Sequence, residues 1–151
     1  MAARSPDGLG EMLRLMKSAV DVVRSAFEAW NTGDLDAWTA HYHPRVKIGP
    51  PEGWPEAEAL FDRESWLAQA RLLTDSWEEQ HIDLDALEEV GGRVLATFTW
   101  VTRGKDSGID FSTQMACLST VQDNQITAQE YFGDRDEALA ALGGEDVHRS
   151  P

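Results

Sequence analysis

Thr127-Ala128-Gln129-Glu130-Tyr131-Phe132-Gly133-Asp134-Arg135-Asp136-Glu137-Ala138-Leu139 reads as a terminal strand that ends in a short helix. Asp134 and Glu137 have the spacing of a capping box, which marks the helix start. The strand carries one carboxylate, Glu130, among apolar and aromatic neighbours. A carboxylate in a poorly solvated pocket has a raised pKa and can act as acid or base.

Upstream of this stretch the pattern has period two. Asp123-Asn124 turns the chain back into a long strand over residues 109–121, and the loop 103–108 joins that strand to another over 93–102. Gly91-Gly92 supplies a hairpin turn, and before it Ile82, Leu84 and Ala86 alternate with Asp83 and Asp85 as in a half-buried strand. Further back the period is helical. Met12, Met16, Val20, Val23, Phe27 and Trp30 form a stripe over residues 11–30, widened by Leu13, Ala19 and Ala26. Asn31-Thr32-Gly33 stops that helix, and Gly33 suits the left-handed position beyond it. Asp34 caps a second helix with Leu35, Trp38 and Tyr42 on one face, closed by Pro44. Residues 45–49 read as a short strand, and Pro50, Pro51, Gly53 and Pro55 make a loop. Asp62 begins a third helix with Trp66, Ala70, Leu73 and Trp77 on one side.

The order is α-α-β-α-β-β-β-β-α. Hairpin-linked strands imply an antiparallel sheet, and helices grouped before it imply an α+β domain with the helices on one face. Residues 1–10 are expected to be a flexible tail, 11–143 the single domain, and 144–151 a second flexible tail.

The chain has 151 residues, 42% hydrophobic and 26% charged, which suits one soluble domain. Thirteen Lys and Arg against 27 Asp and Glu give a net charge of −14. Such a surface repels phosphate backbones and anionic membranes, so neither nucleic acid nor membrane is expected as a partner. Cys117 is the one cysteine, so no internal disulfide forms, which agrees with a cytoplasmic setting. Residues 1–10 lack the apolar run of a secretory signal, and no stretch approaches the roughly 20 apolar residues of a membrane span.

Phe27-Glu28-Ala29-Trp30-Asn31-Thr32-Gly33-Asp34-Leu35-Asp36, His43-Pro44-Arg45-Val46 and Glu130-Tyr131-Phe132-Gly133-Asp134, in this order of elements, resemble the SnoaL-like branch of the nuclear-transport-factor-2-like superfamily. The resemblance covers about residues 15–143. It implies a curved sheet wrapped by helices into a cone with one deep, mostly apolar pocket, and a homodimer formed through the outer face of the sheet. Fold alone does not give chemistry. Ketosteroid isomerases of this fold need groups where this chain has Ile48-Gly49-Pro50, Ala26 and Cys117, so the resemblance does not carry their mechanism. Limonene-type epoxide hydrolases would place their last-strand carboxylate at Glu130. Their other groups fall near Phe98, Trp100, Val46 and Ile48, none of which can serve. Polyketide cyclases of the SnoaL type, which rely mainly on one carboxylate and pocket shape, are the catalytic relatives least contradicted.

If Glu130 faces the pocket, strand alternation turns Ala128 and Phe132 the same way. On the neighbouring strand the matching set is Ser112, Gln114 and Ala116, which places Gln114 to hydrogen-bond Glu130. The functional reading is Glu130 as general acid/base with Gln114 as its orienter. The alternative is a buried carboxylate satisfied by Gln114 and an indole, holding the sheet together. Val46, Ile48, Trp54, Phe98, Trp100, Ser112, Ala128 and Phe132 are the candidates for contact with a small apolar organic molecule. Trp30, Trp66 and Trp77 sit on helical stripes and read as core. His81 reads as a partly exposed residue, and His41 and His43 lack a third ligand for a metal. The sequence carries no phosphate-cradling glycine loop, Ser-His-Asp motif or Cys-x-x-Cys pair, so no cofactor is expected. Two classes stay open: an enzyme of the cyclase, isomerase or hydrolase kind, and a non-catalytic binding or assembly module with a packed pocket.

Overall fold

The computed structural model describes residues 18–50 and 60–149, with side chains to residue 142. Residues 1–10, Trp54 and the start of the first helical stripe lie outside that range.

Helix α1 spans Ala19–Thr32, with Ser18 accepting from the Asp21 N–H at its start and Gly33 in the left-handed conformation at its end. It buries Val23, Ala26, Phe27 and Trp30 of the expected stripe and also Val22, which lay outside it, while Ala19 and Val20 are half-buried. Helix α2 is only Leu35–Thr39, capped by Asp34. Tyr42, expected on its face, instead opens strand β1, Tyr42–Gly49. The Trp38 and Tyr42 rings still meet edge-on at 5.4 Å, so the apolar contact that suggested a longer helix is made across the bend.

Helix α3, Arg63–Ser76, starts in a full capping box between Asp62 and Ser65. Trp77 is not its last residue but the first of strand β2, Trp77–Val90, where it pairs with Gly104. Strands β3 (Arg93–Gly104), β4 (Asp110–Gln122) and β5 (Gln125–Phe132) follow as hairpins. Gly91 and Gly92 have φ of 58° and 78°, and Asp123 and Asn124 have 51° and 64°. Positive φ at both central residues gives the turn whose twist matches the strands it joins. Helix α4, Arg135–Arg149, runs on through the segment expected to be a tail. Asp134 accepts from the Glu137 N–H at its start.

The strands lie in the order β1-β5-β4-β3-β2. Three pairs are antiparallel, but β1 pairs with β5 in parallel, so the sheet is mixed rather than wholly antiparallel. Both β1 and β5 are reached through helical or meander segments rather than from one another by a hairpin, which leaves their relative direction free. The sheet is curved and open, with irregularities between Leu84 and Ala86 and between Thr120 and Val121. Bulges of this kind bend a strand and shift its faces.

The helices do not all pack on one face. Residues of α1, α2 and α3 join Val46, Ile48, Val94, Ala96, Phe98, Cys117 and Ile126 in the inner core. Ala138 and Leu142 of α4 pack with Leu95, Ala116 and Leu118 on the other side, with Phe132 and Val90 beside them. Ile48 joins the two halves of the chain. It sits opposite Gln129 on β5, and its N–H and C=O both bond Phe61 at 2.9 Å. It is 0% exposed. Ile48→Ala is expected to lose about 3 kcal/mol of stability in urea unfolding through the cavity it leaves. A loss below about 1 kcal/mol would mean that the site collapses and that Ile48 is not such a junction.

Candidate functional site

A cavity of about 80 Å³ lies between the inner face of the sheet and helices α1 and α3, partly open to solvent. Helix α1 contributes Val23, Ala26, Phe27 and Trp30, and α3 contributes Trp66, Gln69, Ala70 and Leu73. Ile82, Phe98, Trp100 and Met115 line it from the strands, with Trp38 and Tyr42 from the second helix and first strand. Gln129 and Tyr131 complete the wall. Among the described residues, no side chain in this lining is a carboxylate, an imidazole or a cation.

The aromatic rings stand in edge or tilted contact. Trp30 meets Trp38 at 4.8 Å, Phe27 meets Phe98 at 5.1 Å, and Trp66 meets Tyr131 at 5.7 Å. Such contacts fix ring orientations beyond what simple burial does. The size is restrictive. A cavity of about 150 Å³ holds benzene, so a ring-sized occupant needs the rim to move. Gln69, Leu73, Ile82 and Trp100 are only half-buried and form the adjustable part.

Two glutamine carbonyls organise the polar atoms. At the rim, Gln80 Oε1 accepts from Trp30 Nε1 at 2.7 Å and from Trp100 Nε1 at 3.0 Å. This ties α1 to β3 across β2. At the floor, Gln129 Oε1 accepts from Tyr42 Oη at 2.9 Å and Tyr131 Oη at 2.8 Å. Gln129 Nε2 donates to Ser119 Oγ at 2.9 Å, which fixes which way the amide points. Gln129 is 2% exposed and Ser119 0%.

Burial raises the Tyr42 hydroxyl above the ordinary phenol range, and nearby Cys117 adds to this against the hydrogen bonds from Tyr131, Gln129 and Trp38. Burial also raises Tyr131 well above that range, with Tyr42 and Cys117 adding to it. The Cys117 thiol is pushed up to about 12 by burial. All three groups are therefore neutral at working pH, and neither phenol is a ready base.

The structure divides the residues singled out from the sequence. Phe98 and Trp100 line the cavity. Val46 and Ile48 are packed into the inner core beside it, 1% and 0% exposed. Glu130 does not face the cavity. It lies opposite Leu118 on the α4 side of the sheet, its side chain 52% exposed, with Arg93 Nη1 at 3.7 Å from Oε1. Ala128 and Phe132 share that outer face, and Phe132 packs with the α4 cluster. Ser112 and Gln114 are exposed. Gln114 cannot orient Glu130, because the residue across from Glu130 is Leu118, four positions or about 13 Å along the strand.

The alternation was right and its phase was wrong. The irregularity between Thr120 and Val121 lets Ile126 and Gln129, three residues apart, both face inward. A one-residue slip exchanges the faces, so Gln129 and Tyr131 hold the places expected for Glu130 and Phe132. Tyr42 was hidden by its assignment to a helix, and nothing in the sequence marks Gln80. Among the described residues no three His, Cys, Asp or Glu side chains gather as a metal site would require.

Residues 23–129 match the model of the SnoaL-like domain. Among solved structures, IdmH from Streptomyces antibioticus, proposed to be a polyketide cyclase, is 22% identical with a TM-score of 0.71 over 84% of this chain and 99% of that one. An NTF2-like protein of unknown function from Burkholderia pseudomallei is 19% identical with a TM-score of 0.67, covering 83% and 97%. A Catenulispora acidiphila protein with a ketosteroid isomerase-like fold, solved with trimethylamine, is 16% identical with a TM-score of 0.66 over 82% and 92%. No curated protein matches the chain.

Two outcomes follow from this geometry. Gln129→Leu strands two buried phenol donors and should cost about 3 kcal/mol, whereas Glu130→Gln should leave the urea midpoint where it is. The reverse ranking would place the sheet's critical polar group on the outer face. Second, a tyrosine whose folded pKa lies above its unfolded value of about 10 stabilises the fold fully below that pH and loses this as pH rises further. Cys117 acts with the same sign from its ordinary value of 9.0. Urea stability should fall from about pH 9 upward, and Tyr131→Phe should flatten the fall. An unchanged slope in that variant would show that Tyr131 titrates alike in the folded and unfolded states.

Proposed function

We propose that this chain, which belongs to the SnoaL-like domain family, binds a small apolar organic molecule in the cavity beneath α1 and α3. The observation that carries the proposal is a partly open cavity walled by eight aromatic side chains in which, among the described residues, the ionisable groups are two neutral phenols. A core with no ligand to bind gains by filling such a space, since unfilled volume costs stability. Here the space is kept open beside half-buried rim residues.

Catalysis by Glu130 is not part of the proposal, because its carboxylate lies across the sheet from the cavity. If the chain turns its ligand over, as the polyketide cyclase proposed among its fold relatives would, the means available are shape and neutral hydrogen bonds. These can hold a flexible substrate in a reactive conformation and polarise an oxygen. They cannot abstract a proton with a carboxylate base.

Ala70 lines the cavity and is 3% exposed, so Ala70→Leu fills the space with little change elsewhere. Wild type should be stabilised in thermal unfolding by toluene or another single-ring hydrocarbon, and Ala70→Leu should lose that response. Equal stabilisation of both proteins would place the binding elsewhere and sink the proposal.

A further inference from the structure

We infer that the ligand of this cavity carries a hydroxyl group, an alcohol or a phenol on a small apolar frame, and that it is read by Tyr42, Gln129 and Tyr131 together. The inference rests on the cavity reading above and adds the class of ligand.

Hydrogen-bonding capacity at the floor of the cavity is not fully spent on the protein's own groups. Gln129 Oε1 has two lone-pair positions, and the Tyr42 and Tyr131 hydroxyls fill both. Gln129 Nε2 has two hydrogens. One goes to Ser119 Oγ, and among the described residues the other meets no acceptor. Each phenol gives its single hydrogen to the glutamine, and the Tyr42 oxygen is already engaged by Trp38 and Tyr131, which leaves acceptor capacity on the Tyr131 oxygen. All three residues line the cavity. The floor therefore presents the Tyr131 oxygen as an acceptor and the Gln129 amide N–H as a donor on an otherwise apolar wall.

A hydroxyl group matches that pair, since it donates once and accepts at the same atom. It leaves the three existing hydrogen bonds intact. A ketone or aldehyde offers no hydrogen to the phenol oxygens. To gain more than the single amide N–H it must draw a phenol hydrogen away from Gln129 Oε1, which breaks a buried bond to make another. A hydrocarbon uses none of this capacity. An ammonium ion would find no carboxylate among the described residues of the lining to meet it, and burying an unpaired charge is costly. A carboxylate faces the same cost with one amide N–H to offset it. Because burial keeps both phenols protonated, this arrangement persists across neutral and mildly alkaline pH.

Sites built around a hydroxyl discriminate strongly against the analogue that lacks it, because the site's own polar atoms then go unmet. The test compares phenol with toluene, in which a methyl group replaces the hydroxyl, by tryptophan fluorescence titration of the full chain. Benzaldehyde serves as the carbonyl arm. Wild type should bind phenol about tenfold or more tighter than toluene, with benzaldehyde nearer to toluene. Tyr131→Phe, which keeps the ring and removes one hydroxyl, should reduce the phenol-to-toluene ratio several-fold. Gln129→Met should bring the ratio close to one, and if that variant does not fold the Tyr131→Phe ratio decides. Toluene binding with no preference for phenol, or a ratio that Tyr131→Phe does not change, overturns the inference and leaves the cavity reading standing. Tighter binding of benzaldehyde than of phenol overturns it in favour of a carbonyl ligand. Absence of binding by all three probes to wild type overturns both.

Discussion

The side-chain amide of Asn31 is the joint on which the inner half of the molecule depends. Its Nδ2 donates to the Ile82 carbonyl at 2.8 Å, and the Ile82 N–H donates back to its Oδ1 at 2.7 Å. One amide thus takes the part of a neighbouring strand. β2 is the edge of the sheet, and unpaired edge backbone must be satisfied or protected. Satisfying it from the last turn of α1 fixes that helix over the concave face at a set height. Two residues earlier on β2, Gln80 gathers the indole N–H groups of Trp30 and Trp100. Backbone pairing and side-chain bonding together hold α1 away from the sheet just where the cavity lies.

The cavity is a consequence of that spacing. A flat sheet and a helix in full contact would leave no room, whereas a bent sheet with a helix pinned at its edge leaves a wedge. Aromatic side chains fill most of the wedge, and their edge contacts resist further collapse. The polar atoms inside are all neutral and nearly all paired, as a low-dielectric interior requires. The ionised groups of the described residues stand outside it. Glu130 belongs with them, half-exposed and near Arg93.

Much of this is legible in the sequence. The helix caps at Asp34 and Asp62, the stop at Gly33 and the turns at Gly91-Gly92 and Asp123-Asn124 are local signals that tertiary packing has no reason to override. Phe98 and Trp100 were identifiable as inward-facing aromatics on one strand. The parallel pairing of β1 with β5 was not, because no short-range pattern sets how a strand from the start of the domain meets one from its end. Nor was the inward face of β5. Its sequence alternates cleanly in either phase, and only the irregularity opposite Thr120 chooses between them. The chemistry changed with that choice, since one phase offers a carboxylate to the cavity and the other offers an amide between two phenols.

The two glutamines show why bonding alone does not make a site. Each carbonyl oxygen accepts two hydrogen bonds from aromatic side chains, Gln80 at the rim and Gln129 at the floor. The indoles that bond Gln80 are donors only, so the rim is chemically finished once they are paired. Of the phenols that bond Gln129, Tyr131 donates and still accepts, so the floor remains able to engage a further group after its internal bonds are made. Ser119 sharpens the difference by holding the Gln129 amide in one orientation. A saturated carbonyl at the rim is a fastening. A saturated carbonyl flanked by phenols at the floor is a recognition surface, and the distinction rests on whether an oxygen or a nitrogen carries the donated hydrogen.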